Sequence, residues 1–373
     1  MQNITLNRLH LLNFKNYEEA ELEFSRKINC LVGNNGVGKT NVLDAIYYLS
    51  VTKSYFNPVD TQNIRYETDY FLVEGDFNKG DQQDKISIAL KRGNKKLVRR
   101  NGKEYDRIAD HIGHLPLVMI SPSDRDLILE GSETRRKFID SVISQSDKIY
   151  LDDLMVYNRA LGQRNSLLKY FAANNTFDED QLTLYDEQLI ERGTLIYEKR
   201  KAFIKTLKPI LLEYYQTISG GAELVGIEYD SALHDASLES LLRQNRQRDR
   251  LLQYTAQGIH RDDLKLTMLD YPLKKAGSQG QQKTFLISLK LAQFDFLKQQ
   301  SGYIPLLLLD DIFDKLDEAR VTALIQLVND HRFGQIFISD THPERTRAIA
   351  KRINEESRIY IINHEGRIDE TEE

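Results

Sequence analysis

Four residues in the stretch "NCLVGNNGVGKTNVLDAIYYL" have the types and the spacing to hold phosphate. Gly33, Gly38, Lys39 and Thr40 fit G-x-x-x-x-G-K-[ST], the P-loop pattern. Ile28 to Val32 is a short apolar run suited to a buried strand, and Val42, Ile46 and Leu49 recur at helical intervals, so the glycines sit on a strand-to-helix turn. On such a turn the backbone N–H groups of Gly33, Asn34, Asn35, Gly36, Val37, Gly38 and Asn41 can converge on the β- and γ-phosphates of ATP, helped by the helix dipole. Lys39 then brings a mobile cation to those oxygens, and the Thr40 hydroxyl is placed to ligate Mg2+.

A second set lies in the last third of the chain. "YIPLLLLDDIFDKLD" is an apolar strand ending in Asp310 and Asp311, the Walker B arrangement. Asp310 would hold Mg2+ through water, while Asp311 is placed to orient or deprotonate an attacking water. Two acids after an apolar strand also commonly cap the next helix, so the pair gains its meaning from the P-loop. Upstream, in "GSQGQQKTFLISLKLAQFDFL", Ser278, Gln279, Gly280 and Gln281 resemble the L-S-G-G-Q signature of ABC-type ATPases, with Gln279 where the first glycine usually stands. A P-loop and a signature in ABC heads do not close on the same nucleotide, which implies a second copy arranged head to tail. Asp317 resembles the D-loop acid, and Asp340, Thr341 and His342 in "QIFISDTHP" resemble the switch segment that senses γ-phosphate.

The elements that must position these groups follow from periodicity. Residues 1–28 alternate as strands ("ITLNRLHLL", "AELEF") and lead into the P-loop strand. "DKISIALKRGNKKLVRRNGKEY" sets Ile86, Ile88 and Leu90 on one strand face and turns at Gly93-Asn94 and again at Asn101-Gly102. Its other face carries Lys91, Arg92, Lys95, Lys96, Arg99, Arg100 and Lys103, a ribbon of cations that would neutralise DNA phosphates or, equally, guard a solvated sheet edge. From about Ser132 the pattern turns helical. Two long amphipathic runs flank "AANNTFDED", the second with Pro209 inside it, and would form a helical hairpin arm on the order of 50 Å long. Strands return near 222–229 and 263–268, bracketing a helix rich in Arg and Gln.

Composition narrows the class. A chain of 373 residues, 40% hydrophobic with only seven prolines, suits compact globular structure. No apolar stretch approaches the roughly 20 residues of a membrane span, and the N-terminus lacks a signal pattern, so a cytoplasmic protein without membrane partners is expected. The single cysteine, Cys30, sits in the P-loop strand and reads as packing. A net charge of −5 gives no global attraction to nucleic acid, so any such binding must use a local basic patch.

The blocks "LVGNNGVGKTNVLDAIYYL", "SPSDRDLILEGSETRRKFID", "YNRALGQRN", "GIHRDDL", "GSQGQQK" and "LLLLDDIFDKLD", in this order, resemble the RecF family of DNA replication and repair proteins, relatives of the SMC and Rad50 heads. The resemblance covers nearly the whole chain. It implies an α/β ABC-type P-loop ATPase head: lobe I, nucleotide-binding, from residues 1–130 and 255–373, and an inserted mainly helical lobe II, residues 131–254. It further implies an ATP-dependent homodimer on double- and single-stranded DNA that acts with RecR, RecO and RecA, with ATP and Mg2+ as cofactors and slow hydrolysis as a switch. Two departures stand out: no Q-loop glutamine can be placed in "VMISPSD", and Asp311 replaces the usual glutamate. Arg135, Arg136, Lys137, Arg159 and Arg164 are further basic candidates for DNA, whereas His260 and Arg261 could equally face nucleotide, DNA or a partner head. An ABC transporter ATPase subunit and a P-loop phosphotransferase are the competing functions.

Overall fold

The computed structural model describes residues 1–221, 223–313, 316–329, 332–352, 356–363 and 368–371. The chain divides into two compact units, the first of Met1–Arg125, Tyr214–Ala222 and Ser278–Glu373, the second of Asp126–Glu213 and Glu223–Gly277. The sequence reading expects the first lobe to resume at 255; in this division residues 255–277 fall in the second unit.

The first unit opens with β1 (Gln2–Phe14) and β2 (Tyr17–Glu23), followed by β3 (Ile28–Val32) and α1 (Lys39–Val51). β4 (Tyr70–Lys79), β5 (Gln82–Lys91), β6 (Leu97–Arg100), β7 (Lys103–Glu104) and β8 (Leu117–Ile120) complete its N-terminal half. Along β5, Ile86, Ile88 and Leu90 alternate with solvent-facing residues, as a sheet with one buried face requires.

The second unit contains α2 (Asp126–Leu129), α3 (Ser132–Ser144), α4 (Lys148–Asn174) and most of α5 (Glu179–Ser219). It continues with β9 (Val225–Asp230), α6 (Leu238–Leu252), β10 (Asp263–Met268), β11 (Tyr271–Pro272) and α7 (Leu273–Ala276). β10 pairs with β9 along its whole length, which groups residues 263–268 with this unit. The helix α5 runs unbroken for 41 residues through Pro209, about 60 Å. The strand expected from Ala222 begins at Val225, and Ala222 itself lies outside the described residues.

The chain returns through α8 (Gln279–Ser301), β12 (Tyr303–Ile304), β13 (Leu306–Asp310), α9 (Glu318–Asn329), β14 (Ile336–Asp340), α10 (Pro343–Arg352), β15 (Ser357–Ile362) and β16 (Ile368–Thr371). Strands from both chain ends form a six-stranded sheet in the order β16-β15-β3-β14-β13-β8, parallel except at β16. Every residue of β3, β13 and β14 is buried, the pattern of central parallel strands covered on both faces. A seven-stranded sheet, β12-β1-β4-β5-β6-β7 with β2 on β1, packs its apolar face against α1 in one continuous core. Cys30 is buried in β3, where burial pushes its thiol up to about 12, so it is an inert core residue.

The second unit is pinned by buried arginines. Arg164 on α4 donates to Asp186 on α5 at 2.6 Å and to Asp249 on α6 at 2.7 Å, with Thr255 at 2.8 Å. Its side chain has 0% exposure, so it is a core tie and is withdrawn as a DNA contact. Removing it leaves the buried Asp249 without this cation and Asp186 with Arg246 alone, 3.2 Å away, so Arg164→Met is expected to cost roughly 3–5 kcal/mol, against roughly nothing for the exposed Arg159→Met. Denaturant unfolding of the two variants checks this, and equal stabilities would count against it.

Candidate functional site

Sheet order assembles the site. β14 lies between β3 and β13, so the loop after β3 and the acids ending β13 emerge at one sheet edge. The loop turns through Gly36 and Gly38 at φ +82° and +116°. Gly38 permits this backbone and also a close approach: a Cβ there would lie 2.5 Å from Asn16 Nδ2 and 2.8 Å from the Tyr17 hydroxyl. At Gly33 a Cβ would clash with the Ile362 carbonyl oxygen. Lys39 folds back over the loop, its Nζ donating to the carbonyls of Gly33 at 2.8 Å and Asn34 at 2.9 Å. Burial pulls the Lys39 ammonium down, while Asp311, Asp310 and Asp340 act to keep its proton on.

Thr40 Oγ1 donates to Asp310 Oδ1 at 2.9 Å, joining the loop to the end of β13. The same oxygen accepts from Ser339 Oγ at 2.6 Å, and Oδ2 accepts from Ser121 Oγ at 3.4 Å. Among the described residues no cluster of three His, Cys, Asp or Glu could enclose a metal. A hydroxyl beside one carboxylate nevertheless suits Mg2+, which keeps several waters and takes the rest of its shell from phosphate oxygens. Asp311 follows with a left-handed backbone, φ 45°, its N–H held by Ser339 Oγ at 3.1 Å. An open pocket of 730 Å³ flanks Thr40 and Asn41 and is lined by Lys15, Phe56, Tyr66 and Arg92, room enough for a nucleoside.

The remaining sequence candidates divide. Ser278 caps α8: its Oγ accepts from Gln281 N at 3.3 Å, and Gln281 Oε1 accepts from Ser278 N at 2.7 Å. This bond uses the Ser278 hydroxyl as acceptor, so the exposed cap can still donate its proton to an anion. Gln279 is exposed, and Arg320 Nη1 would lie 3.2 Å from a Cβ at Gly280. Asp317 is exposed and accepts from the Arg320 N–H at 2.9 Å. Asp340 is committed to Arg345, whose Nε lies 2.8 Å away. Burial would raise that carboxyl, but Arg345 and the N–H groups of His342 and Thr341 outweigh it and hold it low. His342 is exposed, and its carbonyl receives the Thr346 N–H at 3.1 Å.

The basic ribbon is thinner than its sequence suggested. Lys96 is spent on Asp60 at 2.7 Å, and Arg100 on Asp84 at 2.7 Å. Lys91, Arg92, Lys95, Arg99 and Lys103 remain exposed. In the second unit Arg135 pairs with Asp263 at 2.6 Å, Arg136 donates to the Asp262 carbonyl at 2.6 Å, and Lys137 pairs with Glu133 at 2.7 Å. His260 bonds Tyr157 at 2.8 Å and the Thr255 carbonyl at 2.9 Å, and burial lowers its pKa to about 4. The "GIHRDDL" block is therefore largely a structural knot, with only Arg261 of its charges exposed.

Two supports had no sequence signal beyond a turn. Asn16 donates to the Val37 carbonyl at 3.0 Å and accepts from Asn41 at 2.7 Å, and Tyr17 donates to the Gly38 carbonyl at 3.1 Å, so the β1–β2 turn buttresses the loop. Ser121 is the other: β8 pairs with β13, and this alone carries Ser121 to Asp310.

A parallel sheet drawn from both chain ends, a P-loop opening on a Walker-type acid pair and a helical insertion between them define an ABC-type ATPase head. The model of the RecF/RecN/SMC N-terminal domain matches residues 5–358. The DNA replication and repair protein RecF of Flavobacterium johnsoniae is 56% identical over 96% of this chain and 99% of its own length, and that of Bacteroides thetaiotaomicron is 48% identical over 98% of each. The chain belongs to the RecF family. A solved structure of the recombination mediator RecF with ATP, in the RecFOR pathway, superposes with a TM-score of 0.89 at 30% identity, covering 99% of this chain and 98% of that one. The Smc head of Pyrococcus furiosus, at 16% identity and a TM-score of 0.57 over 99% of this chain and 96% of that one, shares the fold.

Proposed function

We propose that this chain is an ATP-gated DNA-binding factor of recombination and repair. ATP and Mg2+ bound at residues 33–41 and Asp310 drive two copies together head to tail on DNA, at junctions of single and double strand. There the dimer acts with RecR and RecO to promote RecA loading, and slow, DNA-stimulated hydrolysis releases it in the cytoplasm. Lys39 holds the β- and γ-oxygens; Thr40 and Asp310 would hold Mg2+, which would supply charge neutralisation at those oxygens. Asp311 orients the attacking water, while Ser278, Gln279, Gly280 and Gln281 face the partner's nucleotide beside the D-loop acid Asp317. His342 reads the γ-phosphate.

The observation that carries this reading is the Thr40–Asp310 hydrogen bond, which joins the P-loop hydroxyl to the acid that ends β13. Its support from outside is the repair role in the relatives' names and the ATP in a solved RecF structure. Titration of a tailed duplex over a salt series, with and without ATP, tests it. Binding should strengthen with ATP and fall with salt; no DNA binding, or none that ATP alters, favours a transporter subunit or a phosphotransferase instead. Charge reversal at Lys91, Lys95 and Arg99 should lower DNA affinity roughly tenfold and flatten the salt slope by about 0.9 per lost phosphate contact, with ATP affinity unchanged. An unaltered slope would remove this hairpin from the DNA surface.

A further inference from the structure

Behind the acids lies a buried ionic group that none of the roles above uses. Lys290 sits well inside α8, about 18 Å along the axis from its cap Ser278. Its Nζ pairs with Asp124 Oδ1 at 2.9 Å and donates to the Tyr55 hydroxyl at 3.0 Å, and that hydroxyl donates in turn to Asp124. The other carboxylate oxygen, Oδ2, accepts the N–H of Ser121 at 2.8 Å, and Ser121 Oγ reaches Asp310. Tyr55 is tied to α1 as well, since its N–H donates to Asp44 Oδ1 at 2.7 Å and Ser54 Oγ donates to Asp44 Oδ2 at 2.6 Å. Lys290 and Asp124 are each 5% exposed. An apolar pair of the same volume commonly packs as well as a buried ion pair, so stability alone gives little reason for these charges. What they supply is direction: the pair fixes the start of the loop after β8, and through it one oxygen of the Walker B acid.

Building on the proposed ATP and Mg2+ site, we propose that Asp124 and Lys290 are positioning residues that transmit the placement of α8 to Asp310 through Ser121, so that the helix bearing the signature sets how the metal-holding carboxylate is aimed. The quantity to read is the factor by which Mg2+ tightens ATP binding over binding in EDTA. Lys290→Met should leave affinity in EDTA within about twofold and cut the Mg2+ tightening at least about fivefold, and Lys290→Arg should restore most of it. Ser121→Ala should give a similar loss.

Because Lys290→Met leaves Asp124 buried without its cation, a triple variant, Tyr55→Phe/Asp124→Leu/Lys290→Met, removes all three polar groups together and keeps the question open to measurement. It should show the same reduced tightening while melting within a few degrees of the native chain, and adding Ser121→Ala should cost nothing more. A folded triple variant with full Mg2+ tightening, or an additive loss from Ser121→Ala, overturns the relay. Failure of the native chain to bind ATP at all would instead sink the nucleotide site on which the relay depends.

Discussion

Lys39→Ala is expected to abolish useful ATP binding while the protein stays folded. The ammonium now spans the loop between the carbonyls of Gly33 and Asn34, the only charge the motif itself can send to the β- and γ-oxygens. An incoming polyphosphate exchanges those two neutral acceptors for charged ones, and hydrogen bonds between charged partners are roughly twice as strong. Alanine removes that gain and leaves two carbonyls facing the anion. Losing two charge-assisted bonds to this extent corresponds to at least about a hundredfold in affinity, near 2.7 kcal/mol. Stability should change far less, because Gly33, Gly38, Asn16 and Tyr17 shape the loop independently. Titration with a fluorescent ATP analogue, alongside a thermal melt, measures both. Undiminished affinity in a folded variant would falsify the phosphate-site assignment.

How much of this was readable beforehand depended on the range of the interaction. The P-loop, α1, β13 and the β5–β6 hairpin are written in local spacing, and each falls where that spacing placed it. The fate of individual cations was not, because burial depends on elements distant in sequence. Arg164 stood among the basic candidates for DNA, but Asp186 and Asp249, from two other helices, close on it. Lys96 and Arg100 stood in the most basic stretch of the chain, yet Asp60 and Asp84 take them both. Ser121 shows the same limit from the opposite side: "VMISPSD" carries no glutamine, and only the pairing of β8 with β13 reveals a hydroxyl on Asp310. The grouping of β10 with β9, across the whole of α6, is likewise a long-range pairing that no local spacing announces.

Ser278→Arg tests whether the signature acts in trans. In the single chain Ser278 is a helix cap, exposed, with no acidic residue in the first turn of α8 to compete for its positive end. If a partner's γ-phosphate docks there, arginine fills the interface: ATP should bind each chain with affinity within about twofold of native, while ATP-driven dimerisation and hydrolysis fall by at least roughly tenfold. The cap itself contributes only about 1 kcal/mol, so the variant should fold. A mixture makes the test selective. When Ser278→Arg chains meet Lys39→Ala chains, one composite site of the heterodimer carries both lesions and the other carries neither, so nucleotide can again bridge two chains. Association with ATP and Mg2+ should therefore return in the mixture although neither variant associates alone, a pattern that a lesion in folding or in the cap cannot produce. Light scattering on the two variants and their mixture reads it directly. Dimerisation of Ser278→Arg alone at native ATP concentrations would mean that the segment serves α8 and nothing beyond it.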